Sequence, residues 1–156
     1  MGGALVIRVT YHRDMRHGDT AHLGPTYAGG MSMLDTQQLV ELLKAELDFL
    51  ENGGYQGSPR NSWRPNFVFE DSPTCINFQN QKGPKPCMEC ALIAFVPENH
   101  RQSKFPCRHI PLTSLGETVS SFYEYGTQEE LEGALRSWLR QNIDTLEAQK
   151  GRSQVA

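Results

Sequence analysis

Cys75, Cys87, Cys90 and Cys107 are the only thiols of the chain, and all lie within residues 75–107. Four thiolates can saturate a tetrahedral zinc ion, and Cys87 and Cys90 have the commonest ligand spacing. Two intervening residues let a tight turn aim both sulfurs at one ion, and Pro84 and Pro86 stiffen the approach to that turn. A zinc ribbon carries two such pairs. This chain carries one, in the pattern Cys-x11-Cys-x2-Cys-x16-Cys.

The same pair suits thiol–disulfide exchange or redox sensing. Thioredoxin-like chemistry places Cys-x2-Cys at a helix N-terminus, where the dipole lowers a thiol pKa. Here the pair runs into Ala-Leu-Ile-Ala-Phe-Val, residues 91–96, which reads as a buried strand and withholds that activation. Lys82 and Lys85 stabilise a thiolate less specifically. Cysteine also packs simply as a small hydrophobe. Metal binding is the first expectation, redox chemistry the second, and an interaction domain without chemistry the third.

Which cysteines meet depends on the path of the chain. Only residues 97–106 separate the strand expected over 91–96 from Cys107, a length that suits a hairpin and is short for a parallel crossover. In that hairpin about six residues of strand, roughly 20 Å at ~3.3 Å per residue, separate Cys90 from Cys107. Cys107 is therefore left out. Residues 71–90 become a connecting loop that carries the other three thiols. The expected metal site is Cys75, Cys87 and Cys90, with a fourth ligand from His12, His17, His22 or water, and zinc is the expected ion.

Three further groupings weigh less. Cys107 and His109 stand two residues apart and would share one side of a strand, a conceivable nucleophile pair without an orienting partner. His12, His17 and His22 recur every five residues with Asp14 and Asp19 between them, a period that fits neither helix nor strand. Residues 81–109 carry a net charge of +3 within a chain of net −3, with Phe105 available for stacking; a solvated basic loop is the plainer reading. No glycine-rich phosphate loop and no acidic dyad stands out, so catalysis is not the expectation.

The elements that must position these groups read as follows. Leu5, Ile7, Val9 and Tyr11 alternate with Val6, Arg8 and Thr10 as in a strand. Residues 12–33 lose periodicity and form a long, mobile loop. Asp35 and Gln38 suggest a capping box for a helix carrying Leu39, Leu43, Leu47 and Leu50, with Val40 and Leu42 widening its apolar face and Gly53-Gly54 as its left-handed stop. Strands are expected over 66–70, 91–96, 108–112 and 118–125. Thr127 and Glu130 then cap a last helix with Leu131, Leu135, Trp138, Leu139, Asn142 and Leu146 along one stripe.

The predicted order is β-α-β-β-β-β-α. It defines an α+β domain over residues 1–148, with an antiparallel-rich sheet of four to five strands and two helices on one face. A loose C-terminal tail is expected over 149–156. With 156 residues, 38% of them apolar, and 14 glycines and 9 prolines, the chain suits one modest core with long connections. The mild acidity gives no general expectation of nucleic-acid binding, and no apolar run reaches membrane-spanning length. The reading is a cytoplasmic metal-binding domain, its thiols kept reduced, acting on an unspecified protein partner in binding or regulation.

Overall fold

The computed structural model describes residues 33–56, 66–80 and 82–153. Among them are three α-helices, α1 (Met33–Glu51), α2 (Val119–Tyr125) and α3 (Gln128–Ser153), and four short 3-10 helices, Cys87–Glu89, Ala91–Phe95, Glu98–His100 and Pro106–His109. No strand occurs among the described residues; one isolated antiparallel bridge joins Pro111 to Thr118. The fold is mostly helical, which overturns the α+β expectation. The strand expected at residues 5–11 and the loop up to residue 32 lie outside the described residues.

The two long helices follow from their apolar stripes. Leu39, Val40, Leu43 and Leu50 of α1 are buried, as are Leu131, Leu135, Trp138, Leu139, Ile143 and Leu146 of α3. Ile143 takes the core position expected of Asn142. The helices run antiparallel, since Lys44 pairs with Glu147 at 2.6 Å and Glu51 with Arg140 at 2.7 Å, while Gln37 accepts from Lys150. These exposed pairs set register more than stability. Gly53, at φ +74°, closes α1 with its N–H on the Leu50 carbonyl. At the start of α3 the Glu130 N–H donates to Thr127 Oγ1 and the Thr127 N–H to Glu130 Oε2, the expected capping box. The helix continues through residues 149–153, where a loose tail was expected.

The expected strands are replaced by turns for identifiable reasons. Over residues 66–71 the amide hydrogens that a sheet would use are taken by other groups. Tyr123 Oη accepts from the Val68 N–H at 2.7 Å and Tyr55 Oη from the Phe69 N–H at 2.9 Å. Asp71 Oδ2 accepts from the Phe67 N–H, and the Glu70 N–H donates to the Val68 carbonyl. Phe69 sits at φ 65°, a left-handed conformation that costs a non-glycine residue roughly 1–2 kcal/mol, and its side chain is 1% exposed. Burial of that ring edge-to-face against Trp138 at 5.9 Å offsets the cost.

The apolar run at 91–96 coils into a 3-10 helix, with the Ile93 N–H on the Cys90 carbonyl and the Val96 N–H on the Ile93 carbonyl. Leu92 and Val96 are thereby buried, and Phe95 meets Trp138 edge-to-face at 4.8 Å. Residues 108–112 leave the 3-10 helix Pro106–His109 and turn back through residues 113–116, with Gly116 at φ +82°. Residues 118–125 form a helix despite their β-branched and aromatic content. Thr118 Oγ1 accepts from the Ser121 N–H, and Ser121 Oγ from the Thr118 N–H. This reciprocal cap outweighs the local strand preference, and Val119 is driven into the core at 0% exposure.

A buried tether fastens the turn-rich segment to α1. Glu46 is wholly buried in the α1 face, where its Oε2 accepts from Ser72 Oγ and Thr74 Oγ1, each at 2.6 Å, and its Oε1 from Tyr55 Oη. Ser72 and Thr74 lie immediately before Cys75. The carboxylate therefore fixes where the cysteine-bearing loop begins.

A candidate metal centre

Cys75, Cys87, Cys90 and Cys107 line one cavity of about 30 Å³, together with Phe69, Ile76, Asn77, Leu92, Ile93, Val96 and Pro106. Each thiol arrives on a different local structure. Cys75 closes the turn from Ser72; Cys87 opens one 3-10 helix; Cys90 sits between that helix and the next; Cys107 rides on the helix Pro106–His109. That last helix packs against Ala91–Phe95, so the chain folds back and places Cys107 beside the other three. The hairpin expected to hold Cys90 and Cys107 about 20 Å apart is absent, and with it the reason for leaving Cys107 out.

Size decides what such a cavity can take. Sites for organic ligands run to roughly 300–1,000 Å³, whereas about 30 Å³ matches one water or one ion. All four cysteines are free thiols and partly buried. Among the described residues, no three His, Cys, Asp or Glu side chains already stand at metal-binding spacing. In a ZnS4 centre with Zn–S of about 2.3 Å the sulfurs lie roughly 3.8 Å apart, so an ion would have to draw these thiols inward.

One backbone donor already points at a sulfur, the Asn77 N–H reaching Cys75 Sγ at 3.4 Å, and such a bond orients the thiol. Around Cys90, the backbone amides of Leu92 and Ile76 work against the upward pull of burial.

The cavity opposes that charge while it holds only thiols. Burial raises the pKa of Cys87, with the neighbouring Cys75 and Glu70 adding to the shift. Burial likewise raises that of Cys90. Cys107 is pushed up to about 12, first by burial, then by Glu70 and the other three cysteines. A cation placed among them reverses the balance, because a coordinating thiol gives up its proton.

Beside the cavity, Arg108 is held in a fixed pose. Its Nε donates to Glu70 Oε1 at 2.5 Å and its Nη2 to Glu70 Oε2 at 3.1 Å. The guanidinium lies over the rings of Phe67 and Phe105, each at 4.5 Å, and Tyr123 at 5.7 Å. That bond to Glu70, more than anything else, keeps the Arg108 pKa raised. Burial raises the Tyr123 pKa as well.

His109 takes no part in the cavity. Its ring stacks on that of His100 at 4.1 Å with 9° between planes, and burial followed by the His100 charge lowers its pKa. On a 3-10 helix, with three residues per turn, positions 107 and 109 do not share a face, so the nucleophile-pair geometry is not formed. Imidazole lone pairs lie in the ring plane, and two parallel rings cannot direct theirs at one ion. His12, His17 and His22 lie outside the described residues.

The three cysteines expected as ligands are thus brought together, and Cys107, which sequence reasoning set aside, lines the same cavity. The signal that could have retained it was the count of thiols. No protein-family model matches the chain, and no curated protein or solved structure shows significant similarity to it. Among the described residues no helix is long and apolar enough to cross a membrane.

Proposed function

We propose that this chain is a small metal-binding domain whose cysteine thiolates hold one divalent ion, zinc by ligand chemistry, and that it serves binding or regulation rather than turnover. The observation that carries the reading is the convergence of Cys75, Cys87 and Cys90, with Cys107 alongside, on one ion-sized cavity. Soft thiolates in a tetrahedral arrangement select zinc over hard cations. The Asn77 amide on Cys75 is outer support of the kind such ligands use. A reducing compartment such as the cytoplasm suits four free thiols, and another protein is the expected partner.

Thiol–disulfide exchange is the less supported reading. Its attacking cysteine needs a lowered pKa, whereas Cys87, Cys90 and Cys107 are all shifted upward, and Cys87 begins a three-residue 3-10 helix with no macrodipole of consequence.

Metal analysis of the anaerobically purified full chain tests the proposal. About one zinc per chain is expected, with at least a tenfold loss of affinity in Cys90→Ser. Metal-free protein that takes up no added zinc, or undiminished binding by Cys90→Ser, would sink it. A fast-reacting thiol that is unaffected by chelators would favour redox chemistry instead.

A further inference from the structure

We infer that Cys107 supplies the fourth ligand, closing the centre with four thiolates so that the ion has no open position and acts as a structural staple. This rests on the metal-binding reading above and specifies what kind of site it would be. Cys107 lines the same cavity as Cys75, Cys87 and Cys90, so the fourth position needs no residue from elsewhere in the chain.

The setting of Cys107 holds it there. Pro106 before it is buried, and Ile110 after it is fully buried. Between them Arg108 is locked to Glu70 by two hydrogen bonds and lies over the rings of Phe67 and Phe105. With neighbours fixed on both sides, the helix Pro106–His109 cannot turn its thiol away without dismantling these contacts. The other three thiols come from residues 75–90, so a shared ion would bind that loop to the later helix. No sheet does this among the described residues.

A closed centre differs in kind from one with three thiolates and water. Catalytic zinc keeps an exchangeable position, while four protein ligands leave none, and the binding energy goes into folding. A zinc–tetrathiolate unit carries a formal charge of −2. Arg108 is the cation placed to offset it, because it neutralises Glu70, whose carboxylate acts on Cys87 and Cys107.

X-ray absorption at the zinc edge of the full, zinc-loaded chain counts the ligands. Four sulfur scatterers at about 2.3 Å are expected. Cys107→Ser should show three sulfurs with one lighter atom and bind zinc at least tenfold more weakly. Cys107→His should recover affinity with three sulfurs and one nitrogen. A variant lacking His12, His17 and His22 should match the parent. Three sulfurs and a lighter ligand in the parent, or unchanged affinity in Cys107→Ser, overturns the inference and leaves the metal-binding reading standing. No zinc bound at all defeats that reading itself. If Cys107→Ser fails to fold, the parent's sulfur count decides alone.

Discussion

Replacing Glu46 by leucine should cost about 2–4 kcal/mol of folding free energy, although no residue near the thiols is altered. The figure follows from where the hydroxyl hydrogens can go. Ser72 Oγ has a second acceptor in the Phe69 carbonyl at 3.1 Å, and Thr74 Oγ1 can turn to Ser72 Oγ at 2.7 Å. Tyr55 donates its hydroxyl hydrogen to Glu46 Oε1 while its oxygen accepts from the Phe69 N–H, so it loses its donor bond when the carboxylate goes. Glu46→Leu thus leaves one buried O–H without its acceptor, worth about 1–3 kcal/mol, and weakens the bonding of the two hydroxyls that have alternatives by about 0.5 kcal/mol each.

Glu46→Gln should cost only about 1 kcal/mol. Its carbonyl oxygen can face Tyr55 while its amide faces the two hydroxyls that have alternatives. Adding Tyr55→Phe to Glu46→Leu removes the stranded hydrogen, and the pair should show a coupling of about 1–2 kcal/mol. Guanidinium unfolding of the full chain at a fixed excess of added zinc, followed by circular dichroism, reads the parent, the three single variants including Tyr55→Phe, and the double variant. If Glu46→Leu unfolds within about 0.5 kcal/mol of the parent, the tether does not anchor the cysteine loop and the reasoning fails.

Two further outcomes are expected. Arg108→Ala should weaken zinc binding about tenfold in a chelator competition, because Glu70 then faces the thiolates uncompensated; adding Glu70→Gln should restore most of the loss, and no restoration would remove the charge-balance role. The hydrogen bond from the Thr127 N–H, followed by that from its hydroxyl, holds the Glu130 carboxyl below its ordinary value. The stabilisation is therefore present above the unfolded pKa of about 4.3 and is lost as pH falls through the lower folded value. Amide protection in the first turn of α3, corrected for the intrinsic pH dependence of exchange, should fall over that acid window in the parent but show no such step in Glu130→Gln.

Legibility in the sequence tracked how local the deciding interaction is. The stripes of α1 and α3, the Gly53 stop and the Thr127–Glu130 cap could all be read directly, because each depends on residues three or four apart. The reciprocal cap of Thr118 and Ser121 was equally local, but serine stands where the familiar pattern has glutamate, and the aromatic content suggested a strand. At 66–70 no local pattern could have helped. The hydroxyls of Tyr55 and Tyr123, distant in sequence from opposite sides, take the amides on which a strand reading depends.

By itself, the sequence determined the chemical inventory and the two long helices: four soft thiols, one close pair among them, and two amphipathic stripes long enough to pack against each other. Tertiary structure decided the rest. Whether Cys107 meets Cys90 turns on the backbone between them, which spans roughly 20 Å if six residues extend as a strand and folds back on itself as 3-10 turns. That choice rests on Phe95 reaching Trp138, on Leu92 and Val96 entering the core, and on Arg108 finding Glu70. An apolar run satisfies strand and coil alike until a surface exists for it to bury against, and here α3 supplies that surface.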